Sequence, residues 1–352
     1  RQLGGFLADQ DVTVHALTFG NKGDIEMRCA IEVARRLGAG HRAIDISTDQ
    51  FPQAAISMMR TEALASGFSN VLDWSMLRYL GDLPGRLVQG YLFDGLVGGL
   101  HIPWAFGKDR KFSFETIFER FNRWGFQPHE LEILLAPEYR PLIQEVLSDI
   151  KNLYEMPFES PHLNALHFDL KTRQRFHVGS SIWPNSFRSF PCSPIFDREL
   201  FEIASSIPSS SLSGRRVQTE LLVSRHPHLA SVPLDRNNFD SLPVKPAFGD
   251  YFRVGVQNKL RAMMRKMSLE KALGESRFYY RIYDFNSAGW RSVRNLGDRD
   301  RECLPRCLAH EAVQLFLPKS TDLFRSNDGI IDSSKPKLLI GLAMAARHFQ
   351  LT

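Results

Sequence analysis

The chain has 352 residues and a mass of 40.2 kDa, enough for one large core or two smaller ones. Its 43% hydrophobic and 24% charged residues match an ordinary globular protein and exclude a disordered chain. The net charge of +5 and a pI near 9.0 are mildly basic, and four cysteines exclude a disulfide framework, so a reduced, cytoplasmic setting is expected. The start, RQLGGFLADQD, holds no secretory core, and the longest late apolar run, Leu338–Ala346, is far short of the ~20 residues a membrane span needs. No membrane partner is expected. With no RNA-recognition or zinc-finger pattern, no nucleic-acid partner is expected either.

The opening RQLGGFLADQ reads as the body of a helix. Asp11–Gly20 (DVTVHALTFG) is β-branched, apolar and closed by glycine, which predicts a strand. Asp24 is placed to cap a helix that Gly38 and Gly40 end, and His41–Ser47 predicts a second strand. Helices follow over about Gln50–Ser66 and Asn70–Leu80, then a third strand over Leu87–Phe93 that runs into a Gly/Asp loop. Strands separated by helix-length segments predict an α/β protein with neighbouring parallel strands, whose ends at Gly20 and Phe93 open on one edge. After Gly99 the composition turns helix-rich, which divides the chain into an α/β part (1–108) and a helical part (109–352). Pro128, Pro137 and Pro141 read as breaks, Pro208–Gly214 as a loop, Arg215–Arg225 as a helix and Ser231–Tyr251 as an irregular segment. Cys303, Cys307 and His310 recur at helical spacing but lack a fourth metal ligand nearby. Lys259–Lys271 and Arg291–Arg306 hold much of the positive charge, either as solvated helix faces or as a patch for an anionic partner.

Two segments carry the functional reading. Leu17, Thr18, Phe19 and Gly20 form a strand end whose backbone can bond an adenine edge, with Gly20 letting the chain turn close to a ligand. Gln89-Gly90-Tyr91-Leu92-Phe93-Asp94-Gly95-Leu96-Val97-Gly98-Gly99 forms a second loop. There Asp94 is either a hard-oxygen ligand for magnesium or a turn residue bonding its own backbone. The ordered series Asp24, Ala30, Ala34, Leu37-Gly38 and His41, followed by this loop, resembles the synthetase domain of the asparagine synthetase family. So does Pro194-Ile195-Phe196-Asp197 before ELFEIASSIP, and so does Asp169-Leu170-Lys171-Thr172 upstream. The family loop reads Ser-Gly-x-Gly-x-Asp-Glu, two apolar residues, Gly-Gly. Here Gly90, Asp94, Gly98 and Gly99 are kept, while Gln89, Leu92 and Gly95 replace the serine, the middle glycine and the glutamate.

The resemblance implies an open parallel sheet of the adenine-nucleotide α-hydrolase (HUP-like) type with a helical C-terminal extension. It implies ATP and Mg2+ as cofactors, with Leu17, Thr18, Phe19, Gly20, Gln89 and Gly90 around the nucleotide and Asp94 on the metal. The implied reaction is adenylation of a small-molecule carboxylate and transfer of the acyl group to ammonia or an amine. Ammonia would come from an upstream glutaminase domain or subunit. The family's Ser-Gly-Gly-x-Asp-Ser phosphate loop is expected ahead of Arg1. Lys245 is the candidate for the family's charge-stabilising lysine, its alternative being a solvent-exposed loop lysine. Phe190 and Cys192 stand where asparagine-forming members have a glutamate and an arginine, which argues against aspartate as the acyl substrate. The competing reading is a degenerate, non-catalytic nucleotide-binding or structural member, or an inactive piece of a longer enzyme.

Overall fold

A computed structural model describes residues 1–21, 23–62, 68, 70–81, 83, 85–98, 112–234, 242–266, 278–325 and 329–351. Helix dominates these residues, and none of the helices is long and apolar enough to cross a membrane. The chain divides into two compact units, each drawn from two stretches of sequence: 1–46 with 211–282, and 47–210 with 283–352. The expected boundary at 108 lies outside the described residues.

In the first unit, β1 (His15–Phe19) pairs in parallel with β2 (Gly40–Ile44), Thr18 opposite Ala43 and Phe19 opposite Ile44. The Ile25–Leu37 helix joins them, so strand, helix and strand form one βαβ unit. Asp24 occupies its N-cap position, and Gly38, left-handed at φ 63°, takes the last carbonyls through its amide. The buried residues Leu222, Leu229 and Ala230 pack with Val33, Leu37, Val223 and Val244, tying the later stretch of this unit to its α/β start. Buried His226 lies against Gly5, where a Cβ would stand 2.7 Å from the imidazole, and edge-on to Phe6 at 5.2 Å. The small residue at position 5 is therefore what admits the ring.

In the second unit, the helices Phe51–Glu62, Val71–Leu80, Ala288–Asp300 and Ser334–Phe349 enclose a core that includes Phe51, Trp290, Phe285, Ile340 and Met344. Phe51 meets Trp290 edge-on at 5.3 Å, and Phe285 lies 5.6 Å from the same indole. Close helix approach is set by glycines. A Cβ at Gly297 would stand 2.8 Å from Ile340, and one at Gly289 would collide with the Thr48 carbonyl. Pro128 and Pro141, read as breaks, instead open the helices Pro128–Leu134 and Pro141–Tyr154, where proline's missing amide costs nothing. The Pro161–Asp169 helix continues into a π-helical stretch, Leu170–Val178. Pro208–Gly214 is not a loop: it holds the Ser209–Leu212 helix and enters a 3-10 turn in which Gly214 is left-handed.

The third expected strand is the main correction. Leu87–Phe93 is extended only at β3 (Leu87–Val88), which pairs in parallel with β4 (Pro191–Cys192) and not with β1 or β2. The strand stops because the chain turns after Gly90 and passes through a left-handed Leu92 into the Phe93–Leu96 helix. Among the described residues the parallel strands form two separate pairs, not the single open sheet that was expected.

Candidate functional site

The first segment singled out from the sequence is the exit from β1. Gly20 donates its amide to the Ile44 carbonyl at 2.8 Å and holds φ 136°, a conformation that side-chain-bearing residues rarely adopt. A Cβ there would stand 2.8 Å from the Asp24 carboxylate, which is fully buried. That carboxylate does not cap its own helix: it accepts from the Asn21 amide at 2.8 Å and from Arg281 Nη2 at 2.9 Å. Arg281 Nη1 reaches Asp45 Oδ1 at 3.1 Å, and Asp45 directly follows β2. One guanidinium thus ties together the acids that follow the two strands. Burial works to lower the Arg281 pKa, but the bonds and charges of Asp24 and Asp45 outweigh it and raise it. Its Nε is buried with no hydrogen-bond partner, so one donor at the carboxyl end of the strands is unspent. Thr18 Oγ1 lies 3.1 Å from His41 Nε2 across the strand pair, and Leu17, Thr18 and Phe19 are half-buried.

Arg281 and Asp45 were not singled out from sequence. Asp45 fell inside the expected strand His41–Ser47, and Arg281 lies 236 positions further on, with no local pattern to announce it.

The second segment belongs to the other unit. Gln89 donates its amide to the Cys192 carbonyl at 3.0 Å, while its side-chain Nε2 is buried without a partner. Gly90 is exposed, and Leu92 takes φ 64°. Asp94 is half-buried in the first turn of the Phe93–Leu96 helix, so it stands on a helical turn and not at the end of a strand as expected. Gly98 is buried, and Gly99 lies outside the described residues. The loop is held from two sides. Ser193 Oγ donates to the Tyr91 carbonyl at 3.1 Å, and Tyr91 donates its phenol to the Gln174 carbonyl at 3.1 Å in the π-helical stretch. A Cβ at Gly179 would crowd both that carbonyl, at 2.8 Å, and the phenol, at 3.0 Å. Gln174 Nε2 in turn donates to buried Asp169 at 2.9 Å. Burial raises the Asp169 pKa, with the Gln174 bond and Arg173 opposing it. His177 is pushed down to about 4 by burial and then by Arg173, so it is neutral at pH 7.

Leu17 to Gly20 and Lys245 therefore belong to one unit, and Gln89, Gly90 and Asp94 to the other. Lys245 is exposed on a bend just after Pro243. Asp197 does what its motif predicts: it caps the Arg198–Ser206 helix, accepting from the Leu200 amide at 2.9 Å. Cys303, Cys307 and His310 do not share a helix face, because Cys303 ends a 3-10 turn and His310 starts a new helix. Among the described residues no three His, Cys, Asp or Glu side chains converge as a metal cage. A magnesium carried by nucleotide phosphates needs only one or two protein carboxylates, a requirement Asp94 can meet. No protein-family model matches the chain, and no curated protein matches it.

Proposed function

We propose that the chain is an asparagine synthetase-like ligase domain that binds ATP, adenylates a carboxylate and passes the acyl group to ammonia or an amine. On this reading β1, β2 and the helix between them belong to a HUP-like nucleotide-binding scaffold. Leu17 to Gly20 then offer backbone groups to the adenine, Gln89 and Gly90 line the nucleotide, and Asp94 holds magnesium. Bound magnesium would neutralise phosphate charge and ease departure of pyrophosphate.

The observation that supports this reading best is Leu92. The family pattern has a glycine at that position, and the backbone of this chain keeps a glycine-like left-handed conformation there although the residue is leucine. The left-handed form costs a side-chain-bearing residue roughly 1–2 kcal/mol, so the loop shape persists against local preference. The buried donors without partners, Gln89 Nε2 and Arg281 Nε, are further support, since each has hydrogen-bonding capacity to offer a ligand.

A second reading rests on a specific observation of its own. The acids after β1 and β2 are engaged by Arg281, and Phe278 packs 3.6 Å from where a Cβ at Gly20 would be. This suits a degenerate member in which internal contacts fill the nucleotide end of the strands.

Calorimetric titration of ATP with and without magnesium separates the two. The ligase reading expects magnesium-dependent binding that Asp94→Asn weakens by about tenfold, because a ligand charge is lost without loss of volume. Absence of binding by the unmodified protein favours the degenerate reading. Equal affinity in the two proteins removes Asp94 from the metal.

A further inference from the structure

The five-residue helix Phe278–Ile282 stands at the exit from β1, within the first unit. The Phe278 Cβ lies 3.6 Å from where a Cβ at Gly20 would be, so this buried side chain occupies the space over the turn. Its amide donates to Glu26 Oε2 at 3.3 Å, in the first turn of the Ile25–Leu37 helix. Arg281 donates to Asp24 and Asp45, and its guanidinium lies 5.4 Å from the Phe278 ring centroid. A helix this short has no stability of its own, so these contacts are what keep it on the strand end. Part of the hold is weak. Asp45 is exposed and Arg281 about one-third exposed, which leaves that arm of the bridge open to water and salt. Ile282 is fully buried and anchors the far end, so release requires only that Phe278 and Arg281 swing away.

We propose that Phe278–Ile282 is an autoinhibitory latch on the nucleotide end of β1, opened when a triphosphate draws Arg281 away from Asp24 and Asp45. On the ATP-binding reading, on which this proposal rests, the adenine lies against Leu17 to Gly20, the place that Phe278 fills. Two occupants compete for one space, because a purine cannot enter over Gly20 while Phe278 is packed there. The hold is also of a kind that this ligand can undo. A guanidinium bonds phosphate oxygens as it does a carboxylate, through paired N–H groups, and the triphosphate carries more negative charge than either aspartate. Arg281 Nε, which neither acid uses, adds a donor to what the phosphates can take. Asp24 keeps its bond from the Asn21 amide when the guanidinium leaves, which limits the cost of the open state. Without nucleotide, the buried Asp24–Arg281 pair keeps the latch closed. A permanent structural brace would instead stay in place when nucleotide binds.

Hydrogen exchange of the full chain, read on peptides that cover residues 278–282, tests this with ATP and magnesium as the probe. Exchange there is expected to quicken when ATP is bound, and to stay unchanged with magnesium alone. Unchanged or slower exchange with ATP bound is the behaviour of a brace and overturns the latch. Calorimetric titration gives a second readout. Asp45→Asn, at an exposed position, should keep the fold, quicken exchange at 278–282 before any nucleotide is added, and raise ATP affinity by about threefold to fivefold. Phe278→Ala should raise the affinity by about tenfold. ATP binding of equal strength in the unmodified protein and both variants overturns the latch and leaves the ligase reading in place. ATP binding by none of the three proteins removes both. Binding by the variants alone supports the latch.

Discussion

Lys337 is a costly residue of the second unit, a lysine buried among aromatic rings. It is buried, with its Nζ 4.3 Å from the Trp290 ring centroid, 5.3 Å from Tyr283 and 5.5 Å from Phe285. Burial pushes its pKa down to about 7 from the usual value of 10.5. Ring faces favour the cation but replace only part of its lost hydration. The guanidinium of Arg294, also buried, sits 5.3 Å from the Phe285 centroid, so a second cation shares that ring. For a base whose folded pKa lies below its unfolded one, the unfolded state holds more protons between the two values. Stability therefore rises as pH climbs from about 7 toward 10, and the full penalty applies below 7. Lys337→Met should thus stabilise the protein by on the order of 2 kcal/mol or more at pH 6 and by progressively less toward pH 10. Urea titrations of both proteins across that range check this, and a gain that does not change with pH would count against it. Leu92 gives a second test at this scale. Leu92→Gly relieves the left-handed strain and should cost less than about 1 kcal/mol, whereas Leu96→Ala, which empties a buried position four residues on, should cost about 2–4 kcal/mol.

At the scale of elements, the parallel pair β1–β2 ends on a charge bridge. Arg281 holds the buried Asp24 and the exposed Asp45. Removing the guanidinium leaves Asp24 buried with only part of its hydrogen bonding, so Arg281→Met should destabilise the protein by about 2–3 kcal/mol, below the ~3–5 kcal/mol of a fully buried pair because Arg281 is itself about one-third exposed. Thermal melts of Arg281→Met and Asp45→Asn check this, with the second expected to cost under about 1 kcal/mol. The elements that sequence foretold best were those with local signals. Gly38 ended one helix by cap chemistry and Asp197 began another, while Asp24 marks a helix start by position only, its carboxylate being turned to Asn21 and Arg281. Prolines marked element boundaries correctly but gave the wrong sense, since Pro128 and Pro141 start helices. The third strand misled because Leu87–Phe93 is apolar enough for a strand, while the turn at Gly90 and Leu92 comes from the backbone and not from hydrophobic pattern.

Over the whole molecule, the order of elements was legible and their partition was not. The first unit combines residues 1–46 with 211–282, a pairing set by contacts such as Leu222 and Leu229 with Val33 and Leu37 that no window of sequence contains. For the same reason the turn at Gly20 was legible in advance, whereas Arg281 and the Tyr91–Gln174 tether were not. Local chemistry is written locally, and a tether between positions 83 apart is not. The central claim is that the chain binds ATP with magnesium, and hydrogen exchange followed by peptide mass measurement tests it most directly. Adding ATP with magnesium should slow exchange at the amides of residues 17–25 and again at 89–96. Protection found only elsewhere, or absent altogether, would contradict the account.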